Sequence, residues 1–155
     1  MHELMNDYLR VGLDSQGRLV HLENLKAGHG NIIASPADGL FKLVGKAGAN
    51  WETVFFHRDQ DCRVVPDGSE HLRIVCDRLV SRSGERATSL TLDVCLAGPE
   101  LHFTGQIANR DPELLITDWI YPSIGQVRSL AGGSPDLLWP NHMGERLTNI
   151  AGRPG

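Results

Sequence analysis

The chain has 155 residues, with 15 Lys and Arg against 19 Asp and Glu for a formal charge of −4; that is the length of one domain, with no basic surplus to meet a phosphate backbone, so nucleic acid is not expected as a partner. Hydrophobic residues at 41% and charged residues at 22% suit a soluble globular domain, which at this length needs no metal or disulfide to hold together, and no cofactor is expected. No apolar run approaches the roughly 20 residues of a membrane helix, and the first residues, Met1 to Asp7, lack the basic start and apolar stretch of an export signal, so no membrane partner is expected.

The first clear alternation is Leu9, Val11 and Leu13, a half-buried strand. Asp14-Ser15-Gln16-Gly17 turns the chain into a second strand over 18–23. Residues 26–39 break the period with Gly28-His29-Gly30-Asn31 and Ser35-Pro36-Ala37-Asp38-Gly39. Gly28-His29-Gly30 lacks the Gly-Lys-Ser/Thr and the helix of a phosphate loop, and it reads as an unusual backbone turn. Short strands over 40–44 and 51–56 flank a glycine-rich link. Asp59-Gln60-Asp61 lacks the Gly and the terminal Glu of a calcium loop and reads as a charged turn.

Residues 63–65 lead through Pro66-Asp67-Gly68-Ser69 to Leu72, Ile74 and Cys76, which alternate with His71, Arg73 and Val75. Residues 81–86 read as a longer turn. Leu90, Leu92, Val94 and Leu96 then share one face, with Ser89, Thr91, Asp93 and Cys95 on the other. After Ala97-Gly98-Pro99-Glu100, the alternation of Leu101, Phe103 and Ile107 against His102, Thr104 and Gln106 completes a hairpin. Residues 114–121 form another strand, rich in β-branched and aromatic side chains. Residues 126–149 are a second irregular segment, and 151–155 have linker chemistry, leaving one domain over 1–150. No window carries a capped helical stripe. The expected fold is all-β, an antiparallel β-sandwich with little helix.

The chemistry-bearing residues give few patterns. Cys62, Cys76 and Cys95 show no metal-ligand spacing and read as buried small hydrophobes, although a disulfide between one pair stays open. Glu23, Glu52, Asp118 and Glu145 are available as carboxylates, but nothing pairs them as glycoside hydrolysis requires. His142-Met143-Gly144-Glu145 has an H-x-x-E spacing, yet Gly144 and Pro140-Asn141 place it in a loop and argue against a metal. There is no G-x-S-x-G elbow. His21, His71 and His102 fall on strands and are the candidates to face a carboxylate across a sheet. Trp51 and Trp139 sit by irregular segments and offer faces to a sugar or to a neighbouring domain, whereas Trp119 reads as core.

Several segments carry a resemblance: 22–31, Gly48-Ala49-Asn50-Trp51-Glu52, Leu101-His102-Phe103 with Ile107-Ala108-Asn109-Arg110, and Leu137-Leu138-Trp139-Pro140-Asn141 with Gly144-Glu145-Arg146. They resemble the N-terminal galactose-mutarotase-like β-sandwich that precedes the catalytic barrel of large bacterial glycoside hydrolases. The resemblance implies a supersandwich-type fold and a non-catalytic accessory role. Its partners would be the C-terminal catalytic domain of the parent chain and carbohydrate. Trp51, Trp139, Asn141, His142, Glu145 and Arg146 would be the contacting residues, and no catalytic residue carries over. A stand-alone carbohydrate-binding module and a small aldose-epimerase-like enzyme are the alternatives, and an isolated chain could pair as a homodimer.

Overall fold

A computed structural model describes residues 1–48, 50–128, 137–139 and 145–147, with side chains described except at 50–52, 137–139 and 145–147. The chain is all-β and antiparallel, as its period-two patterning requires. Strands β1 (His2–Met5), β2 (Leu9–Leu13) and β3 (Leu19–Asn24) form a meander. Strands β5 (Lys42–Ala47), β6 (Asn50–Phe56) and β13 (Leu114–Ile120) form a sheet in the order β13-β5-β6. Strands β7 (Arg63–Pro66), β8 (His71–Cys76), β11 (Thr88–Ala97) and β12 (Glu100–Asn109) form a sheet in the order β12-β11-β8-β7. Three small ladders complete the pairing: β4 (Ile33–Ser35) with β14 (Gln126–Val127), β9 (Leu79–Ser81) with β10 (Gly84–Arg86), and β15 (Leu137–Trp139) with β16 (Glu145–Leu147).

The alternation seen in the sequence becomes the core. Along β11, Leu90, Leu92, Val94 and Leu96 are buried, and the residues between them are half-exposed. They join Leu72, Ile74, Val11, Leu13, Leu43 and Phe55 in one apolar cluster. Each fully buried Leu or Phe contributes about 1.5–3 kcal/mol by leaving water. Phe103 packs edge-on against Tyr121 at 5.9 Å, and Tyr121 stacks on Trp119 at 5.6 Å. A Cβ on Gly105 would lie 2.7 Å from the Trp119 ring, so only glycine leaves room there.

One polar side chain ties the core together. His57 is 1% exposed, in a short 3-10 turn (His57–Asp59) after β6. Leu40 N–H donates to its Nδ1 at 2.8 Å, and its Nε2 lies 2.7 Å from the Gln16 carbonyl. The first bond needs a bare Nδ1, so the proton sits on Nε2 and the ring is neutral. The ring also stacks on Phe41 at 4.8 Å. Gly39 presses on it so closely that an added Cβ would come within 2.2 Å of the His57 Cβ.

Several local expectations change, and one strand forms where the sequence marked no element. β1 pairs with β2 although its tetrapeptide shows no clear alternation, because Leu4 alone of its residues is buried. The long turn at 81–86 is the β9–β10 hairpin. The irregular segment 126–149 contains the short strand β14 and the hairpin β15–β16. Cys62 and Cys76 are joined by a disulfide rather than being separate hydrophobes, while Cys95 is free and half-exposed. The register of β7 on β8 sets Arg63 opposite Val75, which brings the preceding and following residues, Cys62 and Cys76, face to face with Cα atoms 4.4 Å apart.

Candidate functional site

The richest polar constellation lies on the outer face of the four-stranded sheet. Strand alternation sends the apolar residues of β8, β11 and β12 inward and leaves His71, Arg73, Asp93, Cys95, His102 and Thr104 outward. Cross-strand register then sets Cys95 between His71 and His102, and Asp93 between Arg73 and Thr104.

Asp93 is the hub. It accepts from Arg73 Nε at 2.9 Å, and His71 Nε2 lies 2.9 Å from the same carboxylate. His71 Nδ1 lies 3.0 Å from Asp67. A carboxylate at each ring nitrogen favours the imidazolium form, and the Asp67 hydrogen bond, followed by that of Asp93, raises the pKa of His71 above the ordinary 6.5. While the ring is protonated, two carboxylates against one imidazolium and one guanidinium leave the group neutral. Chemically it is closed, because neither ring nitrogen is free to take a proton from a substrate. The other strand histidines are engaged as well: His21 lies 3.1 Å from Glu23, and His102 lies 2.9 Å from Glu100.

Because folding raises the proton affinity of His71, its stabilising contribution is complete below pH 6.5 and fades as pH rises through the elevated midpoint. The ring resonances of His71 are therefore expected to titrate above 6.5 in an NMR series, with Asp93→Asn bringing the midpoint down. An unchanged midpoint in that variant would show that Asp93 does not hold the proton.

A second feature is a cleft of about 510 Å³ between β6 and the β9–β10 hairpin. Val54, Phe56, Arg58, Asp59, Ser81, Arg82 and Ser83 line it, together with Thr53, whose buried hydroxyl lacks a hydrogen-bond partner among the described residues. Gln60 holds the two walls together: its amide donates to the Phe56 and Val80 carbonyls, both at 2.9 Å, and its oxygen accepts from Val80 N–H at 2.7 Å. Arg58 lies over the Phe56 ring at 4.8 Å and is paired with Asp38. The cleft thus offers an aromatic ring, hydroxyls and guanidinium groups to a polar ligand.

Of the residues singled out from sequence, Trp51 lies in β6, and its side chain lies outside the described residues. Trp139 and Glu145 face each other in the β15–β16 register, and Arg146 pairs with Leu138; their side chains also lie outside the described residues, as do Asn141 and His142 entirely. The structure therefore brings together the backbones of Trp139, Glu145 and Arg146 and leaves Trp51 on another sheet. Trp119 is only partly buried, packing against Gly105 and Tyr121 beside the core. Glu23 is engaged with His21, and Asp118 is exposed on β13.

Sequence reading missed the Asp67–His71–Asp93–Arg73 network and the Phe56 cleft. The parity of His71, Arg73 and Asp93 within their strands was a usable signal for the first, but the strand order that joins them was not. No three His, Cys, Asp or Glu gather as a metal-binding group among the described residues. None of their helices is long and apolar enough to cross a membrane. The chain matches no protein-family model, and no curated protein matches its sequence.

Proposed function

We propose that the chain is a non-catalytic accessory β-sandwich of a carbohydrate-active enzyme. Its kind would be the galactose-mutarotase-like domain of large bacterial glycoside hydrolases, packed on a catalytic domain. The observation that carries this reading is that His71, the histidine at the centre of the polar sheet face, has both ring nitrogens engaged by carboxylates. An epimerase-like enzyme needs a free imidazole beside a carboxylate, and here each ring nitrogen of His71 is already occupied.

The chain alone is expected to leave galactose and glucose mutarotation at the buffer rate in polarimetry and to release no product from aryl glycosides. Acceleration of either reaction by the purified chain would overturn the proposal. A carbohydrate-binding module is the second reading, favoured by the Phe56 cleft. Titration with neutral oligosaccharides while following the amides of 53–59 and 81–83 separates the two. Saturable shifts confined to those residues favour the module, and their absence favours the scaffold.

A further inference from the structure

The edges of the sheets differ in how well they are guarded. Exposed edge strands invite pairing with another chain, and proteins blunt them with Pro, Lys, bulges or short length. The β7 edge is four residues long, carries Arg63 and ends in Pro66. The β13 edge has a register shift between Ile116 and Asp118. The β6 edge is tied to β9 through Gln60. Asn31 and Ile32 occupy the free side of β3, through bonds to the Val20 carbonyl and to the backbone of Leu22. Strand β12 has none of these devices. It pairs with β11 over ten residues without a bulge, contains no Lys, Arg or Pro, and among the described residues has no strand on its other side.

The backbone of β12 is set for a partner. The Tyr121 hydroxyl lies 3.3 Å from the Asp93 carbonyl and 3.2 Å from the Thr104 carbonyl, which places both carbonyls between β11 and β12. Arg110 N–H likewise donates inward, to the Ala87 carbonyl. The even-numbered residues of β12 therefore bond to β11, and the N–H and C=O groups of Leu101, Phe103, Gly105, Ile107 and Asn109 point to the open edge. The inward side chains of this strand, Leu101, Phe103 and Ile107, are only half-buried, unlike those of β11.

We propose that two copies of this chain pair antiparallel through β12, with the two-fold axis at Gly105, joining their four-stranded sheets into one of eight strands. The sequence of the edge selects that register. With Gly105 opposite its own copy, Phe103 meets Ile107 of the second copy on the inner face, an aromatic and a β-branched residue. On the outer face Thr104 meets Gln106, and Glu100 meets Arg110. Arg110 is exposed and has no side-chain partner among the described residues. Glu100 is exposed and, among the described residues, pairs only with His102. A slip of two residues either way separates the Glu100–Arg110 pair and breaks the Phe103–Ile107 match. The interface is isologous, so each contact occurs twice. This inference stands apart from the accessory-domain reading, since a lone scaffold, a module or an enzyme could each pair this way.

The test is sedimentation equilibrium from micromolar to near-millimolar concentration, in a Cys95→Ser background so that no intermolecular disulfide contributes. The expected result is a reversible species of twice 17.0 kDa. Glu100→Arg and Arg110→Glu should each weaken the association about tenfold by placing like charges opposite each other at two symmetric sites, and the double swap should restore it. These positions are exposed, and circular dichroism checks that each variant keeps its fold. Hydrogen exchange adds a backbone readout: the amides of Phe103, Gly105 and Ile107 should gain protection with concentration, while those of Thr104 and Gln106 are protected throughout. A monomer at every concentration overturns the proposal. So does a dimer that ignores both single reversals, or one that leaves the three outward amides exchanging freely, either of which would place the contact elsewhere.

Discussion

His57→Ala is expected to destabilise the protein by about 3–5 kcal/mol, a large share of the roughly 5–15 kcal/mol that holds a domain folded. The loss has two sources. The Leu40 N–H and the Gln16 carbonyl would lose their partners in the interior, and the volume beside Phe41 would be left empty. Chemical unfolding should show the midpoint moving sharply down, and a shift within error of zero would mean that the tie between these loops is not structural.

The same residue sets an acid limit. Burial lowers its pKa below 6.5, with Arg18 acting in the same direction and the Gln16 bond and Asp14 against it. Protonation would put a second N–H against the Leu40 donor. The unfolded chain therefore binds the proton more readily, so this contribution is complete above pH 6.5 and is lost as pH falls below it. His71 does not obscure the effect, because its own contribution is already saturated below 6.5. Asp14, held below its usual 3.8 by its bonds to Arg18 and Gln16 although burial opposes them, adds its loss only further into acid. In His57→Gln the slope of stability below pH 6.5 should flatten relative to the parent. An equal slope in both proteins would assign the acid sensitivity to another group.

Removing the Cys62–Cys76 bond is the second large effect. It closes a loop of 14 residues in sequence separation. By loop-closure entropy, a ring of about that size is worth about 3 kcal/mol. For a chain of this length that corresponds to a fall in Tm of roughly 6–12 °C. The paired variant Cys62→Ser and Cys76→Ser should show it by calorimetry. Thiol titration of the parent in denaturant should find one reactive cysteine, Cys95, and not three. Three reactive thiols, or an unchanged Tm, would rule the bond out.

The hairpin of β11 and β12 shows what could be read directly. Leu90, Leu92, Val94 and Leu96 alternate over a long uninterrupted run, and the turn after Ala97 is marked by Gly98, which takes a positive φ of 56°. Pattern and turn chemistry agree, so the strands fall where the sequence puts them. The β15–β16 hairpin shows the opposite case. Leu137-Leu138-Trp139 is three residues between breakers, too short for a period to be seen, and pairing with Glu145–Leu147 makes it a strand. β1 was likewise hidden, since its place depends on the neighbour to which it bonds.

The cysteines and the charged sheet face divide along the same line. The turn at Pro66-Asp67-Gly68-Ser69 was legible, and Gly68 adopts the expected positive φ of 82°. Only the register of β7 on β8 shows that Cys62 stands opposite Cys76. His71 and Arg73 were seen to alternate away from the apolar positions, but their meeting with Asp93 depends on β11 lying beside β8, which local pattern does not encode. His57 is a harder case: no periodicity marks it, and its burial follows from two distant segments, around Gln16 and Leu40-Phe41, closing over one ring.

By itself the sequence determined that this protein is an antiparallel β-structure, which side of its long strands faces inward and where its sharpest turns fall, because alternation and turn chemistry act between near neighbours. Only the tertiary structure decided which cysteines bond, which histidine is locked neutral in the core, which charges meet on the outer face and which strand has no neighbour on one side among the described residues. Each of those depends on strand order and register, and these are set by how the sheets share one core.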